Sequence, residues 1–132
     1  MIRLLILCAA LLAGHAHAYT AQEMLEDCRQ AERLQNGEKN SDPLFAMRSG
    51  RCIAYVAGFA DGYSVSDYLA ERVGVRLNAF CLPKDDLSLR LVRAVVIHVE
   101  RVPPDTTAST ATLVAGALAK AFPCPDSLEP KK

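Results

Sequence analysis

Residues 42–63 read DPLFAMRSGRCIAYVAGFADGY, and the fold turns on them. Asp42 suits a helix N-cap. Pro43 suits the first helical position, where its missing N–H has no partner to lose. Phe45, Arg48, Cys52, Tyr55, Val56, Phe59 and Tyr63 then recur at helical spacing, apolar apart from Arg48. Such a stripe belongs against a core. Gly50 weakens the first turns. Gly58 and Gly62 stand four apart, which lets another helix approach closely on their side. The helix is expected to run to about Leu69, with Asp61 to Ser66 as an alternative break.

Working outward, Tyr19 to Gln35 reads as a helix. Thr20 is its N-cap and Glu23 the capping-box partner three residues on. Met24, Cys28 and Ala31 share one face with Leu25 beside them, and Asn36-Gly37 stops it. Glu38 to Ser41 is a polar loop. Beyond residue 70, Glu71 to Phe80 reads as a loop, because its alternating Val73, Val75 and Leu77 have no second strand to pair with. Ser88 to Val102 is a helix with Ser88 as N-cap and Leu87 stapled on Val92. Leu89, Leu91, Val92, Val95, Val96, Ile97 and Val99 cover most of its circumference, so it is central. Pro103-Pro104 ends it. A last helix, roughly Thr107 to Ala121, is capped by Asp105 or Thr106. Its apolar face is Ala111, Val114, Ala115, Leu118, Ala121 and Phe122. The expected fold class is all-α, a small bundle of four main helices in two hairpins.

The chain opens with an export pattern. Arg3 is followed by an apolar run from Leu4 to Leu12 and by Ala16-His17-Ala18, the order of a cleaved signal peptide. The run is too short to span a bilayer, which needs roughly 20 apolar residues. Residues 1–18 are therefore expected to be a signal peptide, cut between Ala18 and Tyr19. Residues 19–132 form a single domain with a periplasmic location and no membrane association after cleavage. Cleavage removes one of the 15 basic residues and none of the 15 acidic ones, leaving a net charge of −1. A near-neutral chain with scattered charge has no footprint for nucleic acid.

Of five cysteines, Cys8 leaves with the signal, and Cys28, Cys52, Cys81 and Cys124 remain. Zinc sites favour close pairs, and none exists here, so a disulfide framework is expected. Four cysteines allow three pairings. The helical hairpins choose among them. Cys28 and Cys52 flank the turn near residue 40 symmetrically, and Cys81 and Cys124 flank the turn near residue 103. The expected pairs are Cys28–Cys52 and Cys81–Cys124, each contributing ~3–4 kcal/mol through loop closure.

No catalytic constellation is visible. The one histidine past the signal, His98, sits mid-helix beside Glu100 and Arg101, without a nucleophile evidently placed to use it. Asp85-Asp86 precede a helix whose positive end they suit. Asp61 lacks the oxygen neighbours of a calcium loop. No phosphate-binding, dinucleotide-binding or zinc-protease motif occurs. Tyr55, Tyr63, Tyr68, Phe45, Phe59 and Phe80 are read as core rather than as a ligand pocket. Neither a cofactor nor a metal site is expected, nor any enzymatic activity.

The chain carries in order Arg51-Cys52-Ile53-Ala54-Tyr55-Val56-Ala57-Gly58-Phe59-Ala60-Asp61, then Phe80-Cys81-Leu82-Pro83, then the third helix ending at Pro103, and last Leu113-Val114-Ala115-Gly116-Ala117-Leu118 followed by Ala121-Phe122-Pro123-Cys124. In that order they resemble the Tai-like immunity proteins of type VI secretion systems. The resemblance implies an all-helical, often dimeric periplasmic protein whose partner is a peptidoglycan amidase effector that it binds and inhibits, with a homodimer as a second assembly. Exposure alone suggests partner-binding residues on the two irregular connections: Arg72, Arg76 and Asn78 on one, and Pro103, Pro104 and Asp105 on the other. The alternative function is a periplasmic helical structural or holdase-like stress protein with no toxin partner. The scarcity of histidine argues against a sharp acid trigger for it.

Overall fold

The computed structural model describes residues 19–103 and 106–125. The signal segment, including Ala18 of the cleavage site, and the partner-binding candidates Pro104 and Asp105 lie outside the described residues. Four helices form: α1 (Ala21–Gln35), α2 (Pro43–Glu71), α3 (Leu87–Val99) and α4 (Thr110–Ala121). They make the expected all-α bundle. α1 packs on both α2 and α3, and α3 packs on α4.

The first two helices start where their caps direct. Thr20 Oγ1 accepts from the Glu23 N–H, and the Glu23 carboxylate accepts from the Thr20 N–H, so the capping box is complete. The Asp42 carboxylate accepts from the Leu44 N–H, one residue past Pro43. Gly37, at a φ of 88°, turns the chain out of α1, a conformation costly to any residue with a Cβ. α2 passes through Asp61–Ser66 without a break and spans 29 residues, about 43 Å.

The other two start differently from the expectation. Asp86 holds the N-cap position of α3 with a φ of 49° and makes no side-chain cap bond. Ser88 is instead a hydrogen-bond partner of the Gln35 amide on α1. The cap of α4 is Ser109, whose hydroxyl accepts from the Thr112 N–H, in place of the expected Thr106; Asp105 lies outside the described residues. The buried face also differs from the expected one: Leu113 and Ala117 enter the core beside Val114 and Leu118, while Ala111 and Ala121 are exposed. On α2, Arg48 is exposed and Ser49 takes the buried place. The reading that put Arg48 on the core stripe was one residue off.

The core runs from Met24, Cys28 and Ala31 through Cys52 and Val56 to Leu91, Val92, Val95, Val114 and Leu118. Burying a Val, Leu or Met side chain contributes about 1.5–3 kcal/mol. α3 supplies six buried residues, including Ala94 and Val96, and so occupies the centre as its apolar circumference requires. Phe80 ends the 71–80 connection inside the core, with its ring stacked on Tyr63 at 3.9 Å.

Both disulfides form in the expected pairs, Cys28–Cys52 with Cα atoms 5.1 Å apart and Cys81–Cys124 with Cα atoms 4.9 Å apart. They differ in access. Cys28 and Cys52 are fully buried, whereas Cys81 is exposed. Thiol–disulfide exchange requires a thiolate to reach a sulfur. Mild reduction followed by alkylation should therefore label Cys81 and Cys124 first, with Cys28 and Cys52 labelled only on unfolding. Peptide mapping by mass spectrometry checks the order.

Candidate functional site

The beginning of α1 and the middle of α2 meet in a polar cluster that sequence reasoning did not identify. Asp27 is 1% exposed. Its Oδ2 accepts a hydrogen bond from the Tyr19 hydroxyl at 2.8 Å and another from the Arg51 Nε. Tyr19 lies edge-on to Tyr55 at 5.3 Å, and the Arg51 guanidinium lies over the Tyr19 ring at 4.9 Å. A signal was available. Asp27 is three residues past Met24 and one before Cys28, both core-facing, so helical spacing alone places its carboxylate inward. Arg51 stands in the analogous place, one residue before Cys52.

Tyr19, Glu23, Arg51, Ala54 and Tyr55 line an open depression of about 650 Å³. A second depression on the other side of Tyr19 adds Thr106, Ala108 and Thr110. The Thr110 hydroxyl donates to the Tyr19 carbonyl and ties α4 to this corner. Burial, and after it the hydrogen bond to Asp27, pushes the Tyr19 phenol well above its ordinary range. The hydrogen bond to Asp27 likewise raises Arg51. The cluster keeps one buried negative charge held by a cation and a phenol. It offers apolar ring area and hydrogen-bonding groups to a partner but no nucleophile.

The partner-binding candidates fall on two separate segments. Arg72 caps the end of α2, and Arg76 and Asn78 follow on the exposed connection. That connection is tied back to α2: Asp67 accepts from the Leu77 N–H at 3.1 Å, and the Tyr63 hydroxyl accepts from the Ala79 N–H at 2.8 Å. Asn78 has a φ of 45°, which Asn tolerates better than most residues. Pro103 lies elsewhere, in a cleft of about 160 Å³ between the turn after α3 and the start of α1, with Ala21, Leu25 and Arg29. Among the described residues no hydrogen bond or ion pair joins Pro103 to Arg72, Arg76 or Asn78.

His98 packs against Gly116, where an added Cβ would come within 3.2 Å of its Nε2. Its basicity is lowered by burial first and then by Lys120 and Arg101. Cations, rather than a carboxylate that could orient it as a base, are its charged neighbours. Among the described residues no cluster of three or more metal-ligating side chains occurs. No described helix is long and apolar enough to cross a membrane.

Two outcomes follow from the Asp27 cluster. The Arg51 side chain is 48% exposed and that of Asp27 only 2%. Removing Asp27 lets Arg51 turn to water, whereas removing Arg51 strands a buried carboxylate on a single phenol. Arg51→Met should thus cost about 3 kcal/mol and Asp27→Ala about 1 kcal/mol, measured by urea denaturation at neutral pH. For Tyr19 the folded state favours the protonated phenol. The stability this contributes is complete below the ordinary tyrosine value of about 10, and declines as pH rises beyond it. Above about pH 10 the wild type should therefore lose stability more steeply than Tyr19→Phe in the same denaturation series.

The chain matches the family model described as Rap1a immunity proteins over residues 20–124. No curated protein and no solved structure matches it. The match takes in all four helices, both disulfides and the Asp27–Arg51 pair, well beyond the stretch from Arg51 on which the sequence resemblance rests. The chain belongs to the Rap1a immunity protein family.

Proposed function

We propose that this chain is a periplasmic immunity protein that binds and blocks a peptidoglycan amidase effector delivered by a type VI secretion system. Membership of an immunity family over residues 20–124 is the observation that carries the reading. The export pattern at residues 1–18 favours the compartment in which a cell-wall enzyme acts. The amidase target rests on the ordered motifs around Cys52, Cys81 and Cys124.

The physics suits an inhibitor. A binder that is already ordered loses little entropy on association. The two disulfides supply order in the scaffold, and the ties from Asp67 and Tyr63 supply it in the 71–80 connection. Arg76 and Asn78 on that connection are exposed, as is Pro103 on the second one. We assign the effector contact to these residues.

The expected outcome is protection. Cells exporting this protein survive periplasmic expression of the cognate amidase, and cells making it without residues 1–18 do not. The purified proteins form a complex, and Arg76→Glu with Asn78→Gly, which keeps the positive φ at 78 accessible, weakens it at least tenfold, about 1.4 kcal/mol, with an unchanged melting temperature. Failure to protect, together with absence of a complex by isothermal titration calorimetry, would falsify the reading. A holdase would instead suppress aggregation of unrelated unfolded proteins.

A further inference from the structure

α3 and α4 carry no acidic residue. Arg90, Arg93, His98 and Lys120 stand on them, and Arg101 follows α3. Two of these cations are occupied within the fold. Arg93 pairs with Glu32 of α1, and the Arg90 guanidinium lies over the Phe122 ring at 5.5 Å. Glu100, the acid nearest in sequence to the others, pairs with Arg29. His98, Arg101 and Lys120 are left without an acidic partner among the described residues.

These three converge. With Ala94, Ile97, Ala117 and Ala121 they line a cleft of about 160 Å³ between α3 and α4. Helical spacing brings them there, since positions 94, 97, 98 and 101 share one face and positions 117, 120 and 121 share another. Each cation alone suits the negative end of the helix it closes. Around one cleft they disfavour each other's charge: His98 is held below its usual basicity by burial and then by Lys120 and Arg101. Gly116 admits the imidazole, because a Cβ there would come within 3.2 Å of Nε2. Glycine inside a helix costs about 1 kcal/mol relative to alanine, and here it lets His98 lie against α4.

The lining selects the ligand. Its floor is small and apolar, with Ala94 and Ala117 buried and Ala121 and Ile97 open. Arg101 and Lys120 supply two fixed positive charges. These match the charge of roughly −1.5 to −2 on a phosphate monoester near pH 7 better than the single charge of a carboxylate. Arginine offers a planar fork of donors to phosphate oxygens, lysine a point charge, and histidine a ring N–H. The volume is well below the roughly 300–1,000 Å³ of pockets for drug-sized ligands. A phosphate with a short chain fits it and a nucleotide does not.

We propose that the cleft between α3 and α4 binds a small phosphate monoester with a short apolar substituent. Its oxygens sit among Arg101, Lys120 and His98, and its chain lies on Ala94, Ala117 and Ala121. Arg76, Asn78 and Pro103 do not line the cleft, so the site stands independently of the effector reading.

His98 is the one histidine of residues 19–132, so its ring protons report on the site in a proton NMR titration of the exported protein. Butyl phosphate, used as the probe, is expected to shift them saturably. It should also move the His98 titration midpoint to higher pH, because a bound anion favours the imidazolium. Inorganic phosphate, which lacks the chain, and butyrate, which lacks the second charge, should each bind roughly tenfold more weakly. Arg101→Gln and Lys120→Gln should each weaken butyl phosphate by roughly tenfold with an unchanged melting temperature, since both side chains are exposed. The absence of a saturable shift, equal binding of either comparison anion, or an undiminished response in Lys120→Gln overturns the assignment. So does binding that emerges only after residues 126–132 are removed, which would mean that the chain fills its own cleft.

Discussion

One lock sets the register of the bundle. Cys28 and Cys52 join α1 to α2 covalently, and one residue earlier on each helix Asp27 and Arg51 pair beside them. The two links demand the same antiparallel register. A slip by one residue would strain the disulfide and strand a buried carboxylate at once. The disulfide acts chiefly by limiting the unfolded chain. The ion pair acts by penalising alternatives, since an unpaired charge in the interior is costly. Tyr19 lying edge-on to Tyr55 and Arg33 lying over Phe45 extend the same register towards the two ends of α1.

From that lock the remaining helices find their places through α1. Arg29 pairs with Glu100, Glu32 with Arg93, and Gln35 with Ser88. These contacts lie at roughly one-turn intervals along α1 and descend α3, which makes the two helices antiparallel. The ion pairs are exposed and individually worth little. Their common direction matters more, because the buried valines of α3 would pack almost as well after a small slide. α4 then closes on α3, tied at its start to Tyr19 and at its end by the Cys81 N–H donating to the Phe122 carbonyl at 2.8 Å.

Much of this was legible in the sequence because its causes are local. Thr20 with Glu23, and Asp42 with Pro43, announce two helix starts within four residues each. The cysteine pairing followed from hairpin symmetry, which needs only helix boundaries good to a turn. The misreadings arose where a tertiary contact competed with a local rule. Ser88 left its expected cap for Gln35 of α1, and Asp86 adopted a left-handed backbone in its place. Ser109 lies inside a run of four hydroxyl residues within five positions, any of which suits a cap, and the run alone does not choose among them. Asp27 went unread because a carboxylate is assigned to the solvent side by default. Its partner is 24 residues away, and only the folded hairpin brings them together. The partner-binding candidates are the least legible part, since exposure marks where contact can occur and not with what.

The locked hairpin also accounts for how α2 can be so long. Its first half is held by the disulfide, the ion pair and the core. Beyond Ala60 no residue of α2 is buried, and Val65, Tyr68 and Leu69 lie open. A helix in isolation gains little stability from propensity alone, and this one carries Gly62 and the β-branched Val65 in that stretch. Part of the support comes from the following connection, which folds back to place Phe80 on Tyr63 and to bond Asp67 and the Tyr63 hydroxyl. Phe80 adjoins Cys81, so the second disulfide holds the returning strand of chain against the end of α4. The extension of α2 is thus built and braced while its outer face stays bare.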